Sequence, residues 1–200
     1  VSVIRLLVLG AIRQHGRAHG YQVRADLDFW GAHEWSGTKP GSIYHALRQM
    51  TKEGLLLAHG VEPSTAGGPP RSVYELTAAG EAAYLALLRA SLRAHDQRIE
   101  VLTAAVGFLV DLPRGEAVAL LRERVAALEA WRDEVVRQWT PDGGTHITEI
   151  MRLWVHRAES DAAWTRDLIG RLEGGAHVMA GEGPRTSEVL PAEACDDGRR

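Results

Sequence analysis

Two hundred residues, 45% hydrophobic and 24% charged, make a globular chain with room for one large domain or two small ones. The single cysteine, Cys195, excludes a disulfide framework and a thiolate metal site. A net charge of −3 argues against a uniformly basic nucleic-acid binder, and with neither a membrane-length apolar run nor a signal-like start the expected location is cytoplasmic.

The charge is unevenly spread. Residues 1–76 carry eight Lys or Arg against six Asp or Glu, together with five of the nine histidines. Residues 77–173 carry twelve against fifteen, and residues 174–200 three against five. Only the first part is basic, and only mildly.

Val3 to Ile12 predicts a first helix, with Val3, Ile4, Leu7, Leu9, Ala11 and Ile12 mostly inward, ended by Gln14-His15-Gly16. A second helix is predicted from His19-Gly20-Tyr21 to about Asp28, with Val23 and Leu27 for the core. Phe29, Trp30 and Trp35 read as packing residues in the connection that follows.

The stretch from Trp35 to Leu57 organises the rest. Ser36 and Gly37 supply turn chemistry, Thr38 offers a helix cap, Pro40 suits a first helical turn and Gly54 sits where a helix stops. From Ser42 to Lys52, Ile43, Ala46, Leu47 and Met50 recur at three- and four-residue spacing and define a buried face. The remaining face carries Ser42, Tyr44, His45, Arg48, Gln49 and Lys52; all can hydrogen-bond and none is acidic. Such a helix fits the major groove of DNA, and an ordinary solvated helix shares the pattern.

Leu55 to Val61 and Arg71 to Leu76 read as two strands of a hairpin around the Gly/Pro-rich loop from Pro63 to Pro70. Three helices and then a hairpin is the order of a winged helix-turn-helix. The wing would bring Arg71 towards a minor groove or a phosphate. Other chemistry is poorly supported. His15 and His19 have helical metal-ligand spacing, but Gly16 breaks that helix and no third ligand is in sight. Ser42 and His45 have no carboxylate in the same motif to orient the histidine, so neither catalysis nor a cofactor is expected.

Thr77 is a plausible cap for a long helix running to about Leu112, before Pro113. Along it Leu85, Leu88, Leu92, His95, Ile99, Leu102, Val106 and Leu109 alternate spacings of three and four, a heptad seam with one polar member. The seam fits either a dimer interface or packing on the chain's own later helices. A second helix is expected over roughly Gly115 to Trp139, with Val118, Leu121, Val125, Leu128, Val135 and Trp139 on one face flanked by Trp131. After the break at Pro141-Asp142-Gly143-Gly144, a third runs from about His146 to Leu172, with Ile147, Ile150, Trp154, Trp164 and Leu168 as its stripe. Trp131, Trp139, Trp154 and Trp164 read as core, or as the lining of a pocket for a small aromatic effector. Residues 174–200 are rich in Gly, Glu, Asp and Pro and read as a flexible tail.

Three pieces carry a family resemblance: A-H-G-Y-Q-V at 18–23, K-P-G-S-I-Y-H-A-L-R-Q-M-T-K-E-G-L-L at 39–56, and G-P-P-R-S-V-Y-E-L-T-A-A-G at 68–80. In order and separation they resemble the PadR family of bacterial transcriptional regulators. The resemblance implies that the His19-Gly20-Tyr21 turn and the Gly41-Ser42-Ile43-Tyr44 helix start approach the DNA backbone. It also implies that Tyr44 and Arg48 face the groove and that Pro70-Arg71 begins the returning wing strand. His45 stands where the family often has proline, so a different contact is possible there. The helical block resembles the C-terminal dimerisation domain of the larger members, whose last helix often carries a tryptophan near the position of Trp164.

The expected fold is therefore mainly α with a small β-hairpin. Residues 1–80 would form a winged helix-turn-helix DNA-binding domain, 81–173 a helical dimerisation and effector domain, and 174–200 the tail. The expected function is a homodimeric repressor on double-stranded DNA with a palindromic operator, its third helices in successive major grooves about 34 Å apart. Tyr21, Lys39, Ser42, Tyr44 and Arg71 would hold phosphates, while His45, Arg48 and Gln49 would read bases. Leu85, Leu88, Leu92, Ile99, Leu102 and Val106 would form the dimer seam. A small-molecule sensor or carrier with secondary DNA binding is the alternative; salt-dependent, sequence-selective DNA binding separates the two.

Overall fold

The unbroken apolar run from Leu6 to Ile12 makes helix α1 (Val3–His15) hydrophobic all round, and it becomes the centre of the first unit. Leu6, Val8, Leu9, Ala11 and Ile12 have no exposed surface at all. The computed structural model describes residues 2–62, 71–138 and 146–183, which fall into two compact units. The first gathers residues 2–88 with Arg98–Phe108, and the second Arg89–Gln97 with 109–183.

In the first unit, α1 is followed by a short strand β1 (Arg17–His19), then α2 (Gly20–Phe29), the single turn α3 (Ala32–Trp35) and α4 (Pro40–Lys52). Strands β2 (Leu56–Glu62) and β3 (Arg71–Leu76) then pair antiparallel, Leu56 opposite Leu76 and Ala58 opposite Tyr74. β1 pairs with the other edge of β3, Ala18 opposite Tyr74, so the sheet has three strands in the order β1-β3-β2. A winged helix-turn-helix is the result, with one strand more than the expected hairpin.

Helix α5 (Ala78–Arg93) begins as expected. The Gly80 N–H donates to Thr77 Oγ1 at 3.0 Å, while that hydroxyl donates to the Gly54 carbonyl at 2.7 Å. The single helix expected over 77–112, however, is not formed. α5 stops at Arg93, α6 (Ile99–Gly107) starts afresh from an extended Arg98, and one 3₁₀ turn, Leu109–Asp111, follows. The heptad seam is thus interrupted between Leu92 and Ile99. Leu88, Leu92 and Leu102 are buried by the chain itself, Leu85 and Val106 are half-buried, and Ile99 is 52% exposed. The physical reason lies downstream: Arg124, itself only 3% exposed, donates from Nη1 to the Ala94 carbonyl that ends α5.

The second unit is built on α7 (Arg114–Gln138) and α8 (His146–Glu173) packed along each other. Val118, Leu121, Leu128 and Val135 are buried on α7 as their spacing predicts. On α8 the expected stripe is mostly on the outside. Ile147, Ile150, Trp154 and Trp164 are 39–46% exposed, and of that set only Leu168 is buried. The buried side is made of Ala158, Ala162, Thr165, Leu168, Ile169 and Leu172, whose small members let the two helices approach. Residues 174–183, expected to be flexible, are tied down. The Arg114 guanidinium donates to the carbonyls of Ala176 and His177 at 3.0 and 2.8 Å and pairs with Glu182 at 2.6 Å, and Met179 is fully buried. The remainder of the expected tail lies outside the described residues. Among the described residues no helix is long and apolar enough to cross a membrane.

Candidate nucleic-acid interface

Helix α4 starts from Lys39, whose extended backbone is the N-cap, with Pro40 at the first helical position. Thr38 is not the cap. Its hydroxyl instead pairs with Ser36 Oγ at 2.5 Å, and no side chain caps the helix. Pro40 has no N–H and the Ser42 and Ile43 N–H groups turn back on the Lys39 carbonyl at 2.9 and 3.4 Å, so what the first turn offers an anion is the positive charge of Lys39 and the absence of any acidic side chain. At the other end Gly54 takes a left-handed φ of 74°, and the Leu55 N–H closes back on the Met50 carbonyl at 2.9 Å.

The two faces of α4 separate as their spacing predicts. Ile43, Ala46, Leu47 and Met50 are 6% exposed or less. Lys39, Ser42, Tyr44, His45, Arg48, Gln49 and Lys52 are all exposed. The helix is held against α2 by a close approach at Gly20. A Cβ there would meet Tyr44 Cε1 at 2.9 Å and Leu47 Cδ1 at 3.3 Å, so a larger residue would shift α4 or rotate Tyr44. Half-buried Tyr21 follows on α2, its ring stacked on His19 with centroids 5.3 Å apart. The backbone N–H of His19 donates to Gln22 Oε1 at 2.8 Å, which fixes the start of α2.

One acidic group near this face escaped the sequence reading. Glu53 accepts from Arg5 at 3.0 Å and from the Gln49 amide at 3.0 Å. These two bonds, Arg5 first, hold its carboxyl below the usual range, so it is ionised and already paired. Arg5, forty-eight residues away in sequence, could not be linked to α4 by pattern. The two neighbours therefore differ: the Gln49 amide is engaged by a carboxylate, while Arg48 is exposed on the open face.

In the sheet, Glu75 on β3 accepts from Arg17 on β1 at 2.9 Å and from His59 on β2 at 2.6 Å, joining all three strands. His59, and after it Arg17, hold its carboxyl below the ordinary value. Arg71 stands at the first position of β3, opposite Glu62. The wing tip, residues 63–70, lies outside the described residues. His15, weighed above as a metal ligand, instead meets the buried carboxylate of Asp26, Nε2 to Oδ2 at 2.6 Å.

The expected effector residues are dispersed differently. Trp131 and Trp154 are neighbours, with centroids 6.3 Å apart, but are 37% and 42% exposed. Trp164 is 41% exposed, and Trp139 lies outside the described residues.

An exposed polar row on α4 opposite a fully apolar one, carried on a winged-helix scaffold, coincides with a sequence match. Residues 8–86 match the profile of the transcriptional regulator PadR-like family. This segment is similar to the PadR-like family. That family is one of transcriptional regulators. The chain is similar to the Bacillus subtilis PadR crystallised with operator DNA, at 18% identity over 86% of this chain and 98% of that one, TM-score 0.38. It is similar also to smu.1604c of Streptococcus mutans, at 19% identity over 83% and 98%, TM-score 0.38. A further similar structure is the PadR-like regulator BC1756 of Bacillus cereus, at 17% identity over 86% and 99%, TM-score 0.36. A search of curated proteins returned no match. The PadR-like segment covers α2, α4 and all three strands, which is where the exposed row and its supports lie.

Proposed function

We propose that the chain is a sequence-specific DNA-binding regulator, acting as a homodimeric repressor whose DNA affinity a small molecule adjusts. The observation that carries the reading is the exposed, acid-free first turn and outer row of α4 inside a PadR-like segment. In this proposal Lys39, Ser42 and Tyr44 hold phosphate, Tyr21 supports them from α2, and Arg71 reaches the backbone from the wing. Arg48 reads base edges, with His45 and Gln49 beside it.

The dimer is proposed through the second unit. Ile147, Ile150, Leu153 and Trp154 recur at helical spacing on α8 and are 39–62% exposed, with Trp131 of α7 beside Trp154. Contiguous exposed apolar surface of this kind marks an interaction site, and a second copy of the same face would cover it. An aromatic effector in that interface would stack on the Trp131–Trp154 pair, with Trp164 on the same helix.

Footprinting the purified chain on the DNA upstream of its own gene tests the reading. The expected outcome is two protected half-sites related by symmetry, one helical turn or a multiple apart, with affinity that falls steeply as salt rises. Binding equally well to any sequence, or none at all, would overturn it.

A further inference from the structure

Glu53 sits where a carboxylate is least expected. It is the C-cap of α4, at the end where the helix dipole disfavours negative charge. It also closes an exposed row, Lys39 to Lys52, that holds no other acid. Glu53 Oε1 accepts from Arg5 Nη1 and from Gln49 Nε2, both at 3.0 Å, and Oε2 accepts from Arg5 Nη2 at 2.5 Å. The two-pronged guanidinium on α1 fixes the carboxylate in place and offsets its charge.

Its effect falls on Gln49. A side-chain amide can turn over and lead with either its donor or its acceptor end. An ionised carboxylate only accepts, so Glu53 takes the amino end of Gln49. The amide oxygen is the end left over, on an exposed residue. In the major groove, cytosine and adenine present exocyclic amines as donors, whereas guanine O6 and thymine O4 accept. An amide leading with its oxygen suits the first two bases and meets the others oxygen to oxygen.

We propose that Glu53, clamped by Arg5, sets the base preference of α4: it holds the Gln49 amide oxygen-first, so that Gln49 selects a cytosine or adenine amine and rejects guanine and thymine. Arg5 and Glu53 act through Gln49 and are positioning residues. The proposal rests on the DNA-binding reading above and names the feature of DNA that one position of α4 reads.

The test selects sequences from a randomised DNA duplex with the full chain, wild type and variants, and reads base frequencies position by position. Gln49→Ala marks the position that Gln49 reads, because the preference there alone should disappear. At that position wild type should favour cytosine or adenine by roughly three- to tenfold, the worth of one hydrogen bond. Glu53→Ala should erase the preference and leave the other positions unchanged. Arg5→Ala should weaken it in the same direction, and Arg5→Lys, which keeps a cation on the carboxylate, should restore most of it. Exchanging the two groups, Gln49→Glu with Glu53→Gln, places an acceptor-only side chain at the reading position and should keep the preference for amines. A selective wild type with no position that answers to Gln49→Ala, or with guanine or thymine preferred there, overturns the proposal and leaves the DNA reading standing. A preference untouched by Glu53→Ala does the same. So does equal weakening on every sequence, the mark of a carboxylate that merely ties α4 to α1. A wild-type chain that enriches no sequence overturns the DNA reading and this proposal with it.

Discussion

Arg48 lies one position from buried Leu47 and two from buried Met50, so its guanidinium is directed away from the core. Its planar fork can pair two acceptors on a guanine edge, which gives it a sharper task than the neighbouring Gln49, whose amide is held by Glu53 at 3.0 Å. Arg48→Ala is expected to lose about 1–3 kcal/mol of discrimination between operator and random DNA in competition binding, and Gln49→Ala less. Equal weakening on both DNAs would assign Arg48 to phosphate. Gly20 belongs to the same scale. With Tyr44 Cε1 2.9 Å from where a Cβ would stand, Gly20→Ala must shift α4 or rotate the tyrosine. A stability loss of about 1–3 kcal/mol in denaturant melts, with weaker operator binding, is the expected result. The faces of α4 were readable because helical spacing alone sorts Ile43, Ala46, Leu47 and Met50 from Ser42, Tyr44, His45 and Arg48. The Arg5–Glu53 pair and the Gly20 contact were not, because both join residues far apart in the chain.

At the scale of elements, the break between α5 and α6 shows where periodicity misleads. Leu88, Leu92, Ile99, Leu102 and Val106 keep a heptad rhythm, and Ala94 to Arg98 contains neither glycine nor proline. What ends α5 is a side chain thirty residues on, the Arg124 guanidinium on the Ala94 carbonyl, with Asp161 3.9 Å from its other amino group. Burial lowers the pKa of Arg124, and Asp161 offsets part of that, yet a guanidinium stays protonated across the working pH range. Arg124→Leu should therefore cost on the order of 2–3 kcal/mol in thermal or urea unfolding, because a carbonyl loses a charged donor. Arg124→Lys should recover part of it. An unchanged midpoint in Arg124→Leu would mean that the break is set by the Ala94–Arg98 segment itself. The third strand and the α3 turn were missed for a plainer reason. Arg17–His19 and Ala32–Trp35 are too short to display a period, and β1 exists only because β3 offers it an edge.

For the whole molecule the proposed dimer needs a face, and burial separates the candidates. A lysine at Leu92, which has no exposed surface, would unfold any version of the protein and so decides nothing. Leu153 is 62% exposed and Ile150 39%, so a lysine at either leaves the monomer's core intact. If the outer face of α8 is the dimer interface, each such charge must be desolvated against its symmetry mate, placing two like charges near the two-fold axis. Leu153→Lys and Ile150→Lys should then give folded chains, with wild-type helix content by circular dichroism, that sediment as monomers. Operator affinity should fall steeply with them. A monomer holds only one recognition helix and loses the gain that linking two half-site contacts brings, often a hundredfold or more. Raising the concentration of the variant should restore part of the footprint, since the recognition surface itself is untouched. Folded variants that remain dimeric would move the interface off this face, to Ile99 and the half-buried Leu85 and Val106.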